Sequence, residues 1–258
     1  MIIGIGGKIG SGKNLVCNII QYLTAEDCSS ECINRIKEGL PIKGYHNSKF
    51  EQKAFAGKLK QIASLLTGIP IEAFEDQEFK KSLLGEQWGT VRVNPLNAVP
   101  VFEDVQFNEL MSVRELLQKL GTEAMRDGLH VNTWVNALFA DYTPIRETLG
   151  GDGKWIETDK DFLHFGERFT YPNWIITDMR FPNEMEAVVE RDGITIRVVR
   201  PHGYTNPHTG EYKEMPLSYH PSETSLDDAK FNYEIINDGT IEDLVEKVKQ
   251  ILIEQKII

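Results

Sequence analysis

Apolar residues recur along this 258-residue chain in two rhythms: short unbroken runs, and stripes at three- and four-residue spacing. Runs of this kind predict buried strands and the stripes predict helices packed on them. Ile2, Ile3 and Ile5 form the first run, and Leu15, Val16, Ile19, Ile20 and Leu23 the first stripe. The same alternation returns late in the chain. Asn173–Thr177 reads as a strand ending at Asp178, and Asn183 and Glu186 then suggest a capped helix ending near Gly193. Ile194–Val199 and Phe231–Ile236 are further strands. Thr240 caps a last helix with Ile241, Leu244, Val245, Val248, Ile251 and Leu252 inward. Strands alternating with helices predict an α/β protein.

The middle of the chain is less regular. Residues 26–45 read as a connection with one short helix at Ser30–Glu38, and a strand-like piece from Ser48 leads into a helix that stops at Gly68. Its stripe is Leu59, Ile62, Ala63 and Leu66; Lys53, Lys58 and Lys60 near its start fit a solvated face. Residues 70–110, acidic and broken by Pro70, Pro95 and Pro100, read as a surface excursion with a short helix around Asp76–Leu84. Ser112 and Glu115 form a capping-box pattern ahead of Val113, Leu116, Leu117, Leu120 and Ala124. Arg114, Gln118, Thr122 and Arg126 then fall on the opposite face. A planar guanidinium fork and an amide suit a phosphate and a base edge; an ordinary amphipathic helix explains the pattern equally well. In the next helix Val131, Trp134, Val135, Leu138, Phe139 and Tyr142 form a stripe read as core. Residues 144–172 read as an inserted hairpin or flap.

Composition narrows the class. A hydrophobic fraction of 41% and a charged fraction of 26% describe an ordinary globular chain, and a net charge of −11 argues against a protein that coats nucleic acid. Cys17, Cys28 and Cys32 lack the spacing of a zinc site, as do His202, His208 and His220. With no signal peptide or membrane span in sight, a cytoplasmic location is expected.

The sharpest chemistry lies between the first strand and the first helix, in Gly6-Gly7-Lys8-Ile9-Gly10-Ser11-Gly12-Lys13. Glycines let successive N–H groups turn toward one anion, the helix N-terminus adds more, and Lys13 supplies a mobile charge. Gly7-x4-Gly12-Lys13 fits a phosphate-binding loop, although Asn14 stands where Ser or Thr normally meets Mg²⁺. Asp178 at a strand end is placed to organise that metal, with Arg180 behind it as a phosphate clamp. A lone strand-end aspartate is also a common turn cap.

In order along the chain, GSGKN, FAGKLK, RELLQKLGTEAMR, TDMRFPNE, HPSE and EIINDGTIEDLVEKV resemble the bacteriophage deoxynucleoside monophosphate kinase family, within the P-loop kinases. Residues 70–110 and 144–172 match it poorly. The resemblance implies one P-loop domain over 1–258, a three-layer α/β/α sandwich on a roughly five-stranded parallel sheet of order 2-3-1-4-5. A helical acceptor-binding region would occupy 112–142, and the loop 201–229 is the candidate lid. It implies transfer of the ATP γ-phosphoryl group to a deoxynucleoside monophosphate with Mg²⁺, in the host cytoplasm if the source is viral. Gly7, Lys8, Gly10, Ser11, Gly12, Lys13, Asn14 and Arg200 would hold ATP phosphates, and Lys58, Arg114, Gln118, Thr122 and Arg126 the acceptor. Lys13, Asp178 and Arg180 would be catalytic, with Asn14 and Asp178 the Mg²⁺ ligands, directly or through water. Loop 201–229 carries only Lys213 before Lys230, so Arg180, Arg200 or the flap would have to supply the lid's charge. No nucleic-acid polymer or membrane partner is expected, and the flap is one place for a homodimer contact. The competing readings are a dephospho-coenzyme A kinase-like enzyme and a P-loop protein that binds nucleotide without turnover.

Overall fold

The computed structural model describes residues 1–26, 30–38, 48–91, 107–149, 155–157, 166–201, 204–205, 212–213 and 221–258. It divides the chain, expected as one domain, into two compact units: Met1–Phe55 with Leu138–Ile258, and Ala56–Ala137.

The first unit is built on five parallel strands: β1 (Ile2–Gly6), β2 (Glu51–Lys53), β3 (Trp174–Met179), β4 (Ile194–Val199) and β5 (Tyr233–Ile236). β1 pairs with β3 and β4, β2 with β3, and β5 with β4, so the order across the sheet is 2-3-1-4-5. β1 is therefore central and buried throughout, which is why it reads as an uninterrupted apolar run. Helices α1 (Lys13–Leu23) and α2 (Ser30–Lys37) follow β1. Ile3, Ile5, Ile175, Ile196 and Val198 bury one face of the sheet with Val16, Ile19 and Ile20 of α1. Leu244, Val248 and Leu252 of the C-terminal helix, Ile241–Glu254, join the same core. Thr240 and Asp243 exchange capping bonds at that helix's start.

On the other face lies the helix Pro182–Val189, whose Val188 is fully buried. A Cβ at Gly4 would come within 3.1 Å of Met179 Sδ and 3.3 Å of Val188, so glycine in the centre of β1 lets this layer approach closely. The cap of this helix differs from expectation. Glu184 rather than Asn183 or Glu186 reaches back, accepting from the N–H of Arg180 at 2.7 Å and of Phe181 at 3.1 Å. Pro182 starts the helix and Glu184 falls at its third position, where a carboxylate can meet the free N–H groups.

The flap region is a three-stranded antiparallel sheet with Ile145–Leu149 central between Trp155–Glu157 and Glu167–Thr170. Glu147 accepts from Arg168 at 2.6 Å across it. Phe55, Phe139, Tyr142 and Trp174 pack edge to face or stacked; Phe139 is core as read from the sequence, whereas Tyr142 is half-buried.

The second unit holds α3 (Ala56–Thr67) and α4 (Val113–Gln118). Its core is Ala63, Phe74, Leu84, Val113 and Leu116. Two expectations change here. In place of a helix over Asp76–Leu84 there are three short 3₁₀ turns, Ile71–Glu75, Phe79–Lys81 and Glu86–Trp88. Nor are these residues mere surface: Phe74 is fully buried, because the turns drop one aromatic between α3 and α4. Leu66 fits the α3 stripe by angle but lies in the last turn and is 53% exposed. Ala124 and Val131 are likewise exposed where a buried stripe was expected. The part of the excursion at 92–106 lies outside the described residues, as do Cys28, His202, His208 and His220.

Candidate active site

The chain leaves β1 at Gly6 and enters α1 at Lys13 through a six-residue loop. Gly12, just before the helix, has φ +102°, a left-handed conformation that L side chains resist. A Cβ there would also lie 2.4 Å from Asn237 Nδ2. At Gly7 (φ +145°) a Cβ would lie 2.3 Å from the Val198 carbonyl oxygen of β4. Both glycines of the motif are therefore demanded by geometry. The loop is anchored from the end of β5, where buried Asn237 donates to the Ser11 carbonyl at 2.9 Å.

Lys13 folds back over the loop and donates to the Gly7 carbonyl at 2.7 Å and the Lys8 carbonyl at 2.8 Å. Burial lowers its pKa to about 8, and the nearby Arg180 pushes the same way, while Glu223 and Asp178 oppose them. These four charged groups thus sense one another around one loop. Asp178, near the end of β3, accepts from the Phe55 N–H at 2.8 Å and is half-buried. Arg180 donates to Glu223 Oε1 at 2.5 Å, and Glu223 Oε2 accepts from the loop N–H of Ile9 at 2.7 Å. Arg200 follows β4 and reaches the Gly10 carbonyl at 3.3 Å. Lys8 pairs with Asp227 at 3.2 Å. Ser11 is buried, and its hydroxyl has no hydrogen-bond partner among the described residues. Asn14, in the first turn of α1, is exposed.

Lys13, Asp178, Arg180 and Arg200 are thus gathered at the glycine loop from three separate stretches of sequence. Sequence reading missed three contributors. Glu223, Asn237 and Glu184 have no local signal that singles them out. The quoted stretches HPSE, EIINDGT and RFPNE carried all three.

The remaining candidates belong to the second unit. Ser112 and Glu115 form the expected capping box at α4, which holds Glu115 below its usual carboxylate range. Arg114 is exposed and donates to Gln77 at 3.3 Å; Gln118 is exposed, and Thr122, Arg126 and Lys58 are half-buried. Of the other lysines near α3, Lys60 pairs with Glu75 at 2.5 Å, and in the first unit Lys53 pairs with Glu51 at 2.5 Å. One feature was invisible in the sequence: from Lys119 to Asp127 the helix is π-helical. In an α-helix, residues four apart drift by about 40°, so Arg114 and Arg126 would be about 120° apart. A π-helix closes i→i+5 bonds and takes roughly 4.4 residues per turn, so the same step drifts about 33° the other way. Wound this way, Arg114, Gln118, Thr122 and Arg126 stay within a narrow stripe. Within the π-helical stretch lies Gly121, whose carbonyl accepts from Trp134 Nε1 at 2.8 Å and which packs against Leu59. Gly121 takes the buried position expected of Ala124.

A parallel sheet of this order, with a glycine loop and lysine after its central strand, defines a P-loop phosphotransferase of the small kinase class. The family model for deoxynucleotide monophosphate kinase matches residues 60–248, and the chain belongs to that family. The match covers Arg114–Arg126, Asp178, Arg180 and Arg200 and begins after the phosphate loop. Over 92% of its length the chain is 22% identical to the deoxynucleoside-5'-monophosphate kinase of Escherichia phage T5, spanning 89% of that protein. Over 42% of its length it is 29% identical to the uncharacterized protein ORF77 of Ictalurid herpesvirus 1 (strain Auburn), spanning 47% of that protein.

Proposed function

We propose that the protein transfers the γ-phosphoryl group of ATP to a deoxynucleoside monophosphate, giving the diphosphate and ADP. The observation that carries this is the gathering of Lys13, Asp178 and Arg180 around a glycine loop whose N–H at Ile9 already holds a carboxylate. In this reading the loop 7–13 cradles the donor phosphates, and Lys13 leaves the Gly7 and Lys8 carbonyls to meet them. Arg180 and Arg200 neutralise charge on the group in flight. Phosphoryl transfer asks little covalent work of a protein, so positioning and charge neutralisation carry the rate.

Asn14 and Asp178 are hard oxygen donors of the kind Mg²⁺ takes alongside phosphate and water, and they would hold it directly or through water. When bound, that ion would draw off charge from the phosphate oxygens. Lys58, Arg114, Gln118, Thr122 and Arg126 would bind the acceptor, the arginines gripping its phosphate and Gln118 a base edge. Among the described residues no helix is long and apolar enough to cross a membrane; we place the reaction in the cytoplasm.

The test is coupled ADP release with dAMP, dGMP, dCMP, dTMP and dephospho-coenzyme A as acceptors. Stimulation by at least one deoxynucleotide is expected; stimulation by none would sink the proposal. Arg114→Ala is expected to raise KM for the monophosphate while leaving ATP binding intact. Equal losses for both ligands would remove Arg114 from the acceptor site.

A further inference from the structure

Phosphate loops bind anions through backbone N–H groups and guanidinium forks. In this protein one side chain already satisfies both. Glu223 accepts from the Ile9 N–H with one carboxylate oxygen and from Arg180 with the other, at 2.7 and 2.5 Å. Its side chain is only 8% exposed, so this is a held carboxylate and not a surface contact. The donors are of the same two kinds that a transferring phosphate needs, one of them from the loop itself.

We propose that Glu223 is a positioning residue of the donor site: it stands in for phosphate while the site holds none, and the donor phosphates displace it. This rests on the donor-site reading above. Without an anion, Lys13 and Arg180 repel each other, and Glu223 offsets that repulsion. It thereby keeps Arg180 and the Ile9 N–H aimed before nucleotide arrives. Once a triphosphate enters, the carboxylate is a like charge competing for the same donors, and it must swing away.

The residues just after Glu223 are held by bonds of their own. Arg197 donates to the carbonyls of Leu226, Asp227 and Ala229 at 2.5, 3.0 and 2.9 Å, and Asp227 pairs with Lys8. The Arg197 bonds just beyond Glu223 do not involve its carboxylate and can persist when that carboxylate is displaced.

The test is calorimetric titration of wild type, Glu223→Gln and Glu223→Ala with a non-hydrolysable ATP analogue, with adenosine as the phosphate-free probe. Both variants are expected to bind the analogue about tenfold tighter, the order of one charge-assisted hydrogen bond no longer competed for. Adenosine affinity should stay unchanged. In hydrogen exchange, the segment holding Ile9 should lose protection in ligand-free Glu223→Ala and regain it with the analogue. Analogue affinity that is unchanged or weaker overturns the proposal and leaves the kinase reading standing. So does a hundredfold fall in kcat without tighter binding, since that would make Glu223 a catalytic or metal-holding group. Absence of analogue binding in wild type would instead strike the donor-site reading itself.

Discussion

Lys13 offers a sharp test, because its environment moves its charge into an accessible pH range. Enclosure in the loop and the nearness of Arg180 lower its pKa from 10.5 to about 8. A lysine at its ordinary value would stay about 97% protonated at pH 9, whereas Lys13 would be about 9% protonated. Since kcat/KM for ATP reports the enzyme form that ATP meets, with the donor site still empty, it is expected to fall about tenfold between pH 7 and pH 9. The assay is coupled ADP release at saturating monophosphate, with ATP limiting, across pH 6.5–9.5. Phosphate groups are already ionised above pH 7.5, so they add no limb there. The stability of the ligand-free protein should move the other way. Between pH 8 and 10.5 the unfolded chain binds the extra proton, so unfolding free energy rises with pH, by roughly 3 kcal/mol at most from this group. A flat kcat/KM profile to pH 9.5 would refute the enclosed, repelled lysine on which this reasoning stands.

Three substitutions examine the packing. Gly12→Ala places a β-carbon on a left-handed residue and against Asn237 Nδ2. A loss of about 2–4 kcal/mol in denaturant unfolding is expected, together with loss of ATP binding. Gly57→Ala meets nothing within 4 Å and sits in α3, so it should be neutral or stabilising by up to about 1 kcal/mol. Equal effects at the two sites would remove the steric account of the loop. Phe74→Ala empties the fully buried centre of the second unit and is expected to lower stability by about 3–5 kcal/mol. A loss under 1 kcal/mol would mean that the 3₁₀ turns are not core.

The sequence by itself determined whatever depends on neighbours along the chain. The strand of Ile2, Ile3 and Ile5, the glycine turn, and the helix carrying Val16, Ile19 and Ile20 are contiguous, so periodicity and turn chemistry reveal them. The capping boxes at Ser112 and Thr240 are local for the same reason. Local signals failed where distant contacts set the outcome. The four-residue repeat Arg114-Gln118-Thr122-Arg126 announced a face, but the π-helical winding that keeps it narrow runs over Lys119–Asp127, a stretch whose Gly121 carbonyl is bonded by Trp134, thirteen residues on. Phe74 looked like part of an acidic excursion because nothing adjacent says that α3 and α4 close over it.

The phosphate loop divides in the same way. Gly7, Gly12 and Lys13 could be read from spacing, since their chemistry lies within one turn of backbone. That Gly7 faces the Val198 carbonyl, that Asn237 holds the Ser11 carbonyl, and that Glu223 joins Ile9 to Arg180 was decided by the parallel sheet. Parallel pairing brings the C-terminal ends of β1, β3, β4 and β5 to one edge. Residues more than two hundred positions apart thus become neighbours, and no local pattern records a contact of that span.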